Sequence, residues 1–317
     1  MKNKKYYFFN KFIIKTFKAS LLNYLYLIKE NMTKEKESKR KIGAIDIGNS
    51  RAKILINGQV GSFVFNEMLE ETIYDFLLNS LLEGKEWDFV KNNSEIEEVL
   101  NYLLSNILQQ EIILGMSYVN SENKKKIEDI FKHFTGLKLI DIKLIAERQE
   151  LLKYDLYAGY GIDRALGIIG AMGYSEPPFI TVDCGTALTI NPVTKDCIAL
   201  GGTIGACAYL QLDVLQEKAE QLKNVKLEYN ERVSGLNTSH CISSGIIHGI
   251  AGGIKNIYYK IVEQEFEGND SLPVFITGGA SDLIYRALSD WEVEPVLNKN
   301  LVLEGILRLI EREYSEL

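Results

Sequence analysis

Two turns in the chain place a glycine two residues after an aspartate, each directly behind an apolar run. The first is Asp46-Ile-Gly-Asn-Ser50 and the second is Asp183-Cys-Gly-Thr186. Backbone N–H groups beside a glycine can approach phosphate oxygens closely, and the carboxylate can hold a cation or a cation-bound water. A single turn of this kind is common. Two in the same sequence context predict an internal duplication that binds phosphate groups.

A third glycine turn, Gly278-Gly279, follows the apolar run Val274 to Thr277 and precedes a predicted helix from Asp282 to Leu288. A helix N-terminus behind paired glycines offers unpaired N–H groups and the positive end of the helix dipole. This turn suits a nucleotide that lies flat against the backbone.

A carboxylate and a guanidinium stand side by side in Gly161-Ile-Asp163-Arg164. A carboxylate can accept a proton as a general base, and a guanidinium is a natural bidentate partner of an anionic group. The alternative is an ordinary charged pair at a helix start, where the aspartate complements the helix dipole. The residues by themselves leave both interpretations open.

Together these turns resemble those of the acetate kinase, sugar kinase, heat-shock ATPase and actin superfamily. Within it the chain resembles the type III pantothenate kinases from about Lys41 to Ile310. The segment from Tyr154 to Arg164 is similar to that family's Y-x-x-P-x-x-x-G-x-D-R pattern, with Tyr157 where proline is usual. The segment Gly235-Leu-Asn-Thr238, with Ser-Gly at 244–245, is similar to its G-x-N-T…S-G pattern.

The resemblance implies an α/β fold of two duplicated ribonuclease H-like lobes, the actin-like ATPase fold, with ATP in the cleft. It implies ATP-dependent phosphorylation of pantothenate to 4'-phosphopantothenate, the first step of coenzyme A biosynthesis. Asp163 would activate the pantothenate hydroxyl. Thr238 would reach the pantothenate bound to the opposite subunit of a homodimer. The other implied substrate-binding residues are Tyr154, Gly161, Ile162 and Arg164.

The same resemblance implies the ATP site and its cations. Asp183 would lie beside a monovalent cation, K⁺ or NH₄⁺, in addition to Mg²⁺. Asp46 and Asp183 would organise cation, water and phosphates. The implied ATP-binding residues are Asp46, Ile47, Gly48, Asn49, Ser50, Arg51, Ala52, Lys53, Thr186, Gly278 and Gly279.

One segment departs from the family pattern. Residues 201–207 match G-G-x-I-x-P-G except that Ala206 and Cys207 replace proline and glycine. A glycine position often serves a positive φ or a close ligand approach, so a cysteine there would carry a steric cost. Either the loop has another shape or the substrate site is relaxed. We expect Cys207 to be a small buried side chain and not a nucleophile, because no His or Asp motif accompanies it. The departure keeps two alternatives open: a nucleotide-binding regulatory protein like the accessory transcription factors of this fold, or a kinase for another small alcohol.

The elements that must position these residues form two lobes rich in βα units. Strands are predicted at Ile42 to Asp46, Glu111 to Met116 and Leu137 to Ile142, with a helix from Lys124 to Phe134. Asn57-Gly58 joins two strand-like runs as a hairpin, which differs from the Rossmann order of a helix after the first glycine loop. The predicted lobes are 42–165 and 166–317. Glycines at 245, 249 and 253 predict a close helix contact between subunits or lobes.

Composition excludes several classes of protein. The 317 residues carry a formal net charge of −7, which gives no support to a nucleic-acid binder. The four cysteines and three histidines show no metal-ligand or disulfide spacing, so we expect a reducing, cytoplasmic location. Apolar runs in the first 41 residues are shorter than a bilayer span, so no stable membrane insertion is expected.

Residues 1–41 differ chemically from the remainder. They hold twelve Lys/Arg and three Asp/Glu, a net of +9, which leaves −16 for the rest of the chain. Two interpretations stand: a basic amphipathic segment that touches a membrane surface or partner, or a non-native extension with Met32 as the true start. In either case the segment is expected to lie outside the fold.

Overall fold

The computed structural model describes residues 41–81, 112–132, 134, 136–153, 159–266 and 271–314. The N-terminal extension up to residue 40 lies outside the described residues, and so do Tyr154 and Tyr157.

The first sheet has the order β3-β2-β1-β4-β5. Antiparallel hairpin strands lie on one side of the central strand β1, and parallel strands lie on the other. Its elements are β1 (Lys41–Ile47), β2 (Arg51–Ile56), β3 (Gln59–Val64), α1 (Leu69–Leu81), β4 (Ile112–Tyr118), α2 (Ser121–Phe131), β5 (Leu137–Asp141) and α3 (Ile142–Gln149).

The second sheet, β10-β9-β6-β7-β8, repeats this topology strand for strand, with β6 in the place of β1 and β9 in the place of β4. The predicted α/β fold of two duplicated lobes is confirmed. The remaining elements are α4 (Ile162–Ala171), β6 (Phe179–Cys184), β7 (Ala187–Val193), β8 (Thr203–Ala206), α5 (Ala208–Lys218), a 3₁₀ turn (Glu220–Leu222), α6 (Thr238–Glu265), β9 (Val274–Thr277), α7 (Ser281–Ala287), β10 (Val296–Leu297) and α8 (Leu301–Tyr314).

Local signals account for most of the predicted elements. Asn57 and Gly58 have φ angles of 49° and 75°, the two positive values that a tight hairpin between β2 and β3 requires. Helix α2 begins at Ser121, three residues before the predicted start, because the Asn120 side chain accepts hydrogen bonds from the first-turn N–H groups. Strand β5 ends at Asp141, one residue early, because Asp141 caps α3.

A separate core lies between the two sheets and is built around α4 and α8. It contains Phe179 and Phe275 from the second sheet and Ile113 from the first. The two helices cross at glycines. A Cβ on Gly170 would lie closer than 3.0 Å to the backbone of Leu301, and a Cβ on Gly305 equally close to the backbone of Leu166. The absence of both side chains therefore allows a backbone-to-backbone contact.

Helix packing, unlike strand pairing, crosses the predicted lobe limits. The predicted boundary between residues 165 and 166 falls inside α4, and the C-terminal helix α8 packs on β1 and β4 of the first sheet. Strand β1 also begins at Lys41, one residue inside the predicted extension. The limits 42–165 and 166–317 stay a prediction. In the described part of the chain, no helix is both long and apolar enough to span a bilayer.

The helix crossing generates a prediction about stability. Gly170→Ala should destabilise the protein by about 1–3 kcal/mol, because the new methyl meets rigid backbone. Gly167→Ala in the same helix is the control. Its methyl has no neighbour within 4 Å, so the gain in helix propensity should stabilise the protein by up to about 1 kcal/mol. Urea denaturation measures both, and equal stability of the two variants would contradict the prediction.

Candidate active site

The two predicted aspartate turns occupy equivalent positions in the two lobes. Asp46 lies near the end of β1 and pairs in register with Ser117 of β4, while Asp183 lies near the end of β6 and pairs with Thr277 of β9. The residue after each aspartate accepts an equivalent backbone hydrogen bond. The Val119 N–H donates to the carbonyl of Ile47 at 3.1 Å, and the Ala280 N–H to that of Cys184 at 2.9 Å.

The fold brings the charged residues of both turns together with the Gly-x-Asp-Arg segment. The pKa of Asp46 is raised to about 7, mostly by burial and also by the nearby Asp163 and Asp183 carboxylates, while the Lys53 ammonium acts in the opposite direction. The pKa of Asp183 is raised to about 6 by burial and by Asp163, against the lowering effects of Lys53 and of a hydrogen bond from the Gly185 backbone. Three carboxylates and one lysine thus lie close enough to interact electrostatically. The Lys53 Nζ also donates to the carbonyl of Lys299 in the second lobe at 3.1 Å.

The second turn packs directly against the third glycine turn. Gly278 has a φ of 97°, and a Cβ there would lie closer than 3.0 Å to Asp183 Oδ1 and to the backbone of Cys184. Oδ1 of Asp183 is buried and has no hydrogen-bond partner among the described residues. Gly279 has no atom within 4 Å of a hypothetical Cβ, so its backbone is open to a ligand.

Asp163 and Arg164 lie in the first turn of α4, which begins after the cap residue Gly161. They form no salt bridge with each other among the described residues. The guanidinium instead donates through Nε to Asn191 Oδ1 and through Nη2 to the carbonyl of Gly201, both at 2.6 Å. Its carbon lies 4.2 Å from the centre of the Tyr160 ring. Arg164 is thereby fixed, and within the described ranges three of the five N–H groups of its guanidinium donate no hydrogen bond.

Sequence reasoning missed Asn191, which orients Arg164. This buried residue on β7 accepts from Arg164 and donates through Nδ2 to Thr181 and Thr189. A polar residue inside an otherwise apolar strand was its signal, but nothing local indicated its partner. Sequence reasoning also missed Asn123 of α2, whose Nδ2 donates to two carbonyls of the first aspartate turn.

A cavity of about 340 Å³ opens beside the N-terminus of α4. Tyr160 and Ile162, on either side of Gly161, line it, and Ser117, Tyr118 and Asp141 line it from the first lobe. The Ser117 hydroxyl is buried and has no hydrogen-bond partner within the described chain. The cavity wall therefore contains an unused polar group.

Some of the other predicted ATP-binding residues have buried side chains and others have exposed ones. The side chains of Ile47 and Ala52 are fully buried in the first core, so only their backbone could meet a ligand. Asn49, Ser50 and Arg51 are exposed. Thr186 follows Gly185 directly after β6, and its carbonyl accepts from the Cys207 N–H at 3.2 Å.

Thr238 lies apart from this cluster within the chain. It is the first residue of α6, is exposed, and lines a separate open groove. A role for Thr238 at the Asp163 site would therefore need a second subunit.

The departure at residues 206–207 causes no backbone strain at Cys207, contrary to expectation. Cys207 has a φ of −87° and caps α5 in ordinary extended backbone. The positive φ values lie earlier in the segment, at Gly201 (92°) and Gly202 (124°). A Cβ on Gly202 would clash with the backbone of Ile190. Cys207 is fully buried, as predicted.

The donor set suits a hard divalent cation. In the described chain no three His, Cys, Asp or Glu side chains are arranged to hold a metal by themselves. Mg²⁺, however, usually binds through one or two carboxylates, several waters and substrate phosphates. The unpartnered Oδ1 of Asp183 fits that arrangement.

Two lobes of one topology, each with an aspartate turn near the end of its first strand, define a two-lobed α/β protein of the actin-like ATPase fold class. A family model described as type III pantothenate kinase matches residues 44–260. The chain therefore belongs to the type III pantothenate kinase family.

Two curated relatives carry the name type III pantothenate kinase. The protein from Synechococcus elongatus is 32% identical over 158 residues, which cover 49% of this chain and 61% of the relative. A protein from a second Synechococcus strain matches to the same extent. The match thus spans about three fifths of the length of these relatives.

Solved structures with low sequence identity are also similar. A Baf family transcriptional activator from Campylobacter jejuni has a TM-score of 0.49 and 19% identity, over 87% of this chain and 100% of its own. The activator of the 2-hydroxyisocaproyl-CoA dehydratase from Clostridium difficile has a TM-score of 0.45 and 12% identity, over 87% and 97%.

The raised pKa of Asp46 predicts a pH-dependent stability in the cation-free, nucleotide-free protein. The carboxyl titrates at about 7 when folded against a usual 3.8. Its ionisation therefore opposes folding fully above pH 7, and the penalty disappears as the pH falls toward 4. Asp46→Asn should raise the free energy of unfolding at pH 8 by up to about 4 kcal/mol, with a smaller gain at pH 5.

Denaturant titrations at both pH values measure this gain. Asp196→Asn, at an exposed position, is the control and should change stability little at either pH. An Asp46→Asn protein no more stable than the wild type at pH 8 would refute the prediction.

Proposed function

We propose that this protein transfers the γ-phosphoryl group of ATP to the primary hydroxyl of pantothenate, giving 4'-phosphopantothenate and ADP. The observation that carries the proposal is the convergence of Asp163, Asp46 and Asp183, together with a cavity that Tyr160 and Ile162 line at the N-terminus of α4. Membership of the type III pantothenate kinase family supports the choice of substrate. We infer a cytoplasmic location from the same family.

ATP would bind with its phosphates between the two aspartate turns. Asn49, Ser50, Lys53 and Thr186 would contact phosphate oxygens, and the open backbone at Gly279 would lie against the adenosine. Backbone N–H groups and an ammonium suit phosphates because charge-assisted hydrogen bonds are the stronger ones. Ile47 and Ala52 would contribute only through their backbone, since their side chains lie in the core.

Pantothenate would occupy the cavity beside α4. The free N–H groups of Arg164 would bind its carboxylate or neighbouring polar atoms, and the unused Ser117 hydroxyl offers a further hydrogen bond. In the chemical step Asp163 accepts the proton of the primary hydroxyl. That oxygen forms a bond to the γ-phosphorus while the bond to the β,γ-bridging oxygen breaks, and ADP leaves.

Cations are needed because the site is already negative. A triphosphate would meet three carboxylates and one lysine, so uncompensated repulsion would oppose binding. We propose that Mg²⁺ is held by Asp46 and Asp183 together with waters and phosphate oxygens, and that K⁺ or NH₄⁺ lies near Asp183. When bound, these ions neutralise the charge that develops on the transferred phosphoryl group.

The active unit would be a homodimer. Exposed apolar side chains cluster on the edge strand β8 and on α5, including Ile204, Tyr209 and Val214. Surfaces of this kind mark interaction sites in soluble proteins. Gly245, Gly249 and Gly253 face open space among the described residues, which leaves room for a helix of another subunit. Thr238 begins the same helix and would complete the partner's pocket.

A coupled ADP-release assay tests the proposed function directly. ADP should appear only when both ATP and pantothenate are present, and replacing K⁺ with Na⁺ at matched ionic strength should lower the rate. ATP binding without turnover on pantothenate would refute the kinase activity and favour a regulatory protein. Turnover on a different small alcohol instead of pantothenate would refute pantothenate as the phosphoryl acceptor.

Asp163→Asn should lower turnover while ATP binding survives, because the amide keeps the shape of the side chain but cannot accept the alcohol proton. General-base contributions set the expected loss at about 10²–10⁴-fold in kcat. Asp196→Asn is the exposed control. A variant within about threefold of the wild-type kcat would remove Asp163 from the mechanism.

Subunit mixing tests the shared site. Asp163→Asn and Thr238→Arg should each be inactive alone. After subunit exchange at equal amounts, about a quarter of the sites should be intact, because half of the dimers are mixed and each has one complete site. Failure to regain activity despite verified exchange would refute the shared pocket, and so would a fully active monomer.

A further inference from the structure

The first aspartate turn is held by a side chain that belongs to no recognised motif. Asn123 of α2 is buried, and its Nδ2 donates to the carbonyl of Gly48 at 3.1 Å and to that of Asn49 at 3.0 Å. A carbonyl oxygen can only accept, so these two bonds select the NH₂ end of the amide. Both hydrogens of that NH₂ group are committed to the turn.

The two bonds determine the direction of two successive peptide planes. A peptide unit is planar and trans, so its N–H points away from its own C=O. The unit with the Gly48 carbonyl carries the Asn49 N–H, and the unit with the Asn49 carbonyl carries the Ser50 N–H. Because both carbonyls point toward α2, both N–H groups point to the other side of the turn.

These two N–H groups have the properties of an anion site. Asn49 and Ser50 are exposed, and neither backbone N–H donates a hydrogen bond within the described part of the chain. Successive N–H groups on one side of a turn form a concavity that binds anionic oxygens. The turn lies between Asp46 and Lys53, which are paired across β1 and β2.

We propose that Asn123 is a positioning residue for the bound nucleotide: by holding the Gly48 and Asn49 carbonyls, it aims the Asn49 and Ser50 N–H groups at a phosphate group. The inference rests on the proposed function, because it takes the phosphates of ATP as the anion. Asn123 acts through the turn and does not touch the nucleotide. Without it the carbonyls could rotate toward the phosphates and repel them.

Calorimetric titration with ATP and with adenosine separates this role from general destabilisation. Asn123→Leu removes both donors and keeps the number and branching of the side-chain heavy atoms, and Asn123→Ser keeps a small polar side chain if the leucine variant does not fold. Ile127→Val is the control, since it trims a buried side chain of the same helix without touching the turn. Melting temperatures establish that each protein is folded.

ATP affinity should fall about tenfold or more in the Asn123 variants, because two phosphate-binding N–H groups lose their orientation. In these variants the adenosine affinity and the KM for pantothenate should stay at the wild-type values, while the KM for ATP should rise. Ile127→Val should bind both ligands like the wild type even if its melting temperature falls.

Two results would overturn the inference: a folded Asn123 variant that binds ATP within about threefold of the wild type, or equal losses for ATP and adenosine. A wild-type chain that binds neither ligand would refute the proposed function and this inference together. A wild-type chain that binds ATP without phosphorylating pantothenate would refute the proposed function alone.

Discussion

The backbone contact between α4 and α8 is the constraint on which the site depends. Helix α4 carries Asp163 and Arg164 in its first turn, and farther along it lies against α8 at Gly170. The same helix reaches strands of both sheets, so it determines where Asp163 stands relative to the two aspartate turns. A side chain at the crossing would move the helix axis. Displacements of about 1 Å are enough to impair a reacting geometry.

The charged site opposes folding, and the stabilising free energy comes from elsewhere in the molecule. Asp46 and Asp183 lose hydration and repel a third carboxylate, while Lys53 compensates only in part. Apolar cores on both sides of the sheets surround this cluster and hold it in place. Buried like charges without full compensation are characteristic of functional sites, where a bound ligand or cation supplies the missing opposite charge.

Elements determined by residues next to each other in the chain could be predicted from the sequence. Contacts between residues far apart in the chain could not. The hairpin at Asn57-Gly58 needs only two residues that accept positive φ, so its position was predictable. The start of α2 was placed too late because the capping role of Asn120 was overlooked. Asn123 and Asn191 were missed because their partners lie 74–75 and 27 residues away along the chain, where no local pattern reaches. The expected strain at Cys207 was wrong because a family pattern carries residue types and no φ angles.

The duplication also shows how one topology can hold two turns by different means. Both turns accept a backbone hydrogen bond from a residue just beyond the end of the neighbouring strand, Val119 to Ile47 in one lobe and Ala280 to Cys184 in the other. In the second lobe Gly278 packs backbone against the turn, which leaves no room for a side chain. In the first lobe the turn is held by the amide of Asn123 instead. Under the proposed function, the second turn would offer the unpartnered Oδ1 of Asp183 to a cation, whereas the amide of Asn123 would turn the Asn49 and Ser50 N–H groups toward a phosphate. In addition to the aspartate that each turn carries, the two lobes would then contribute different ligand groups from equivalent positions, because a different residue holds each turn.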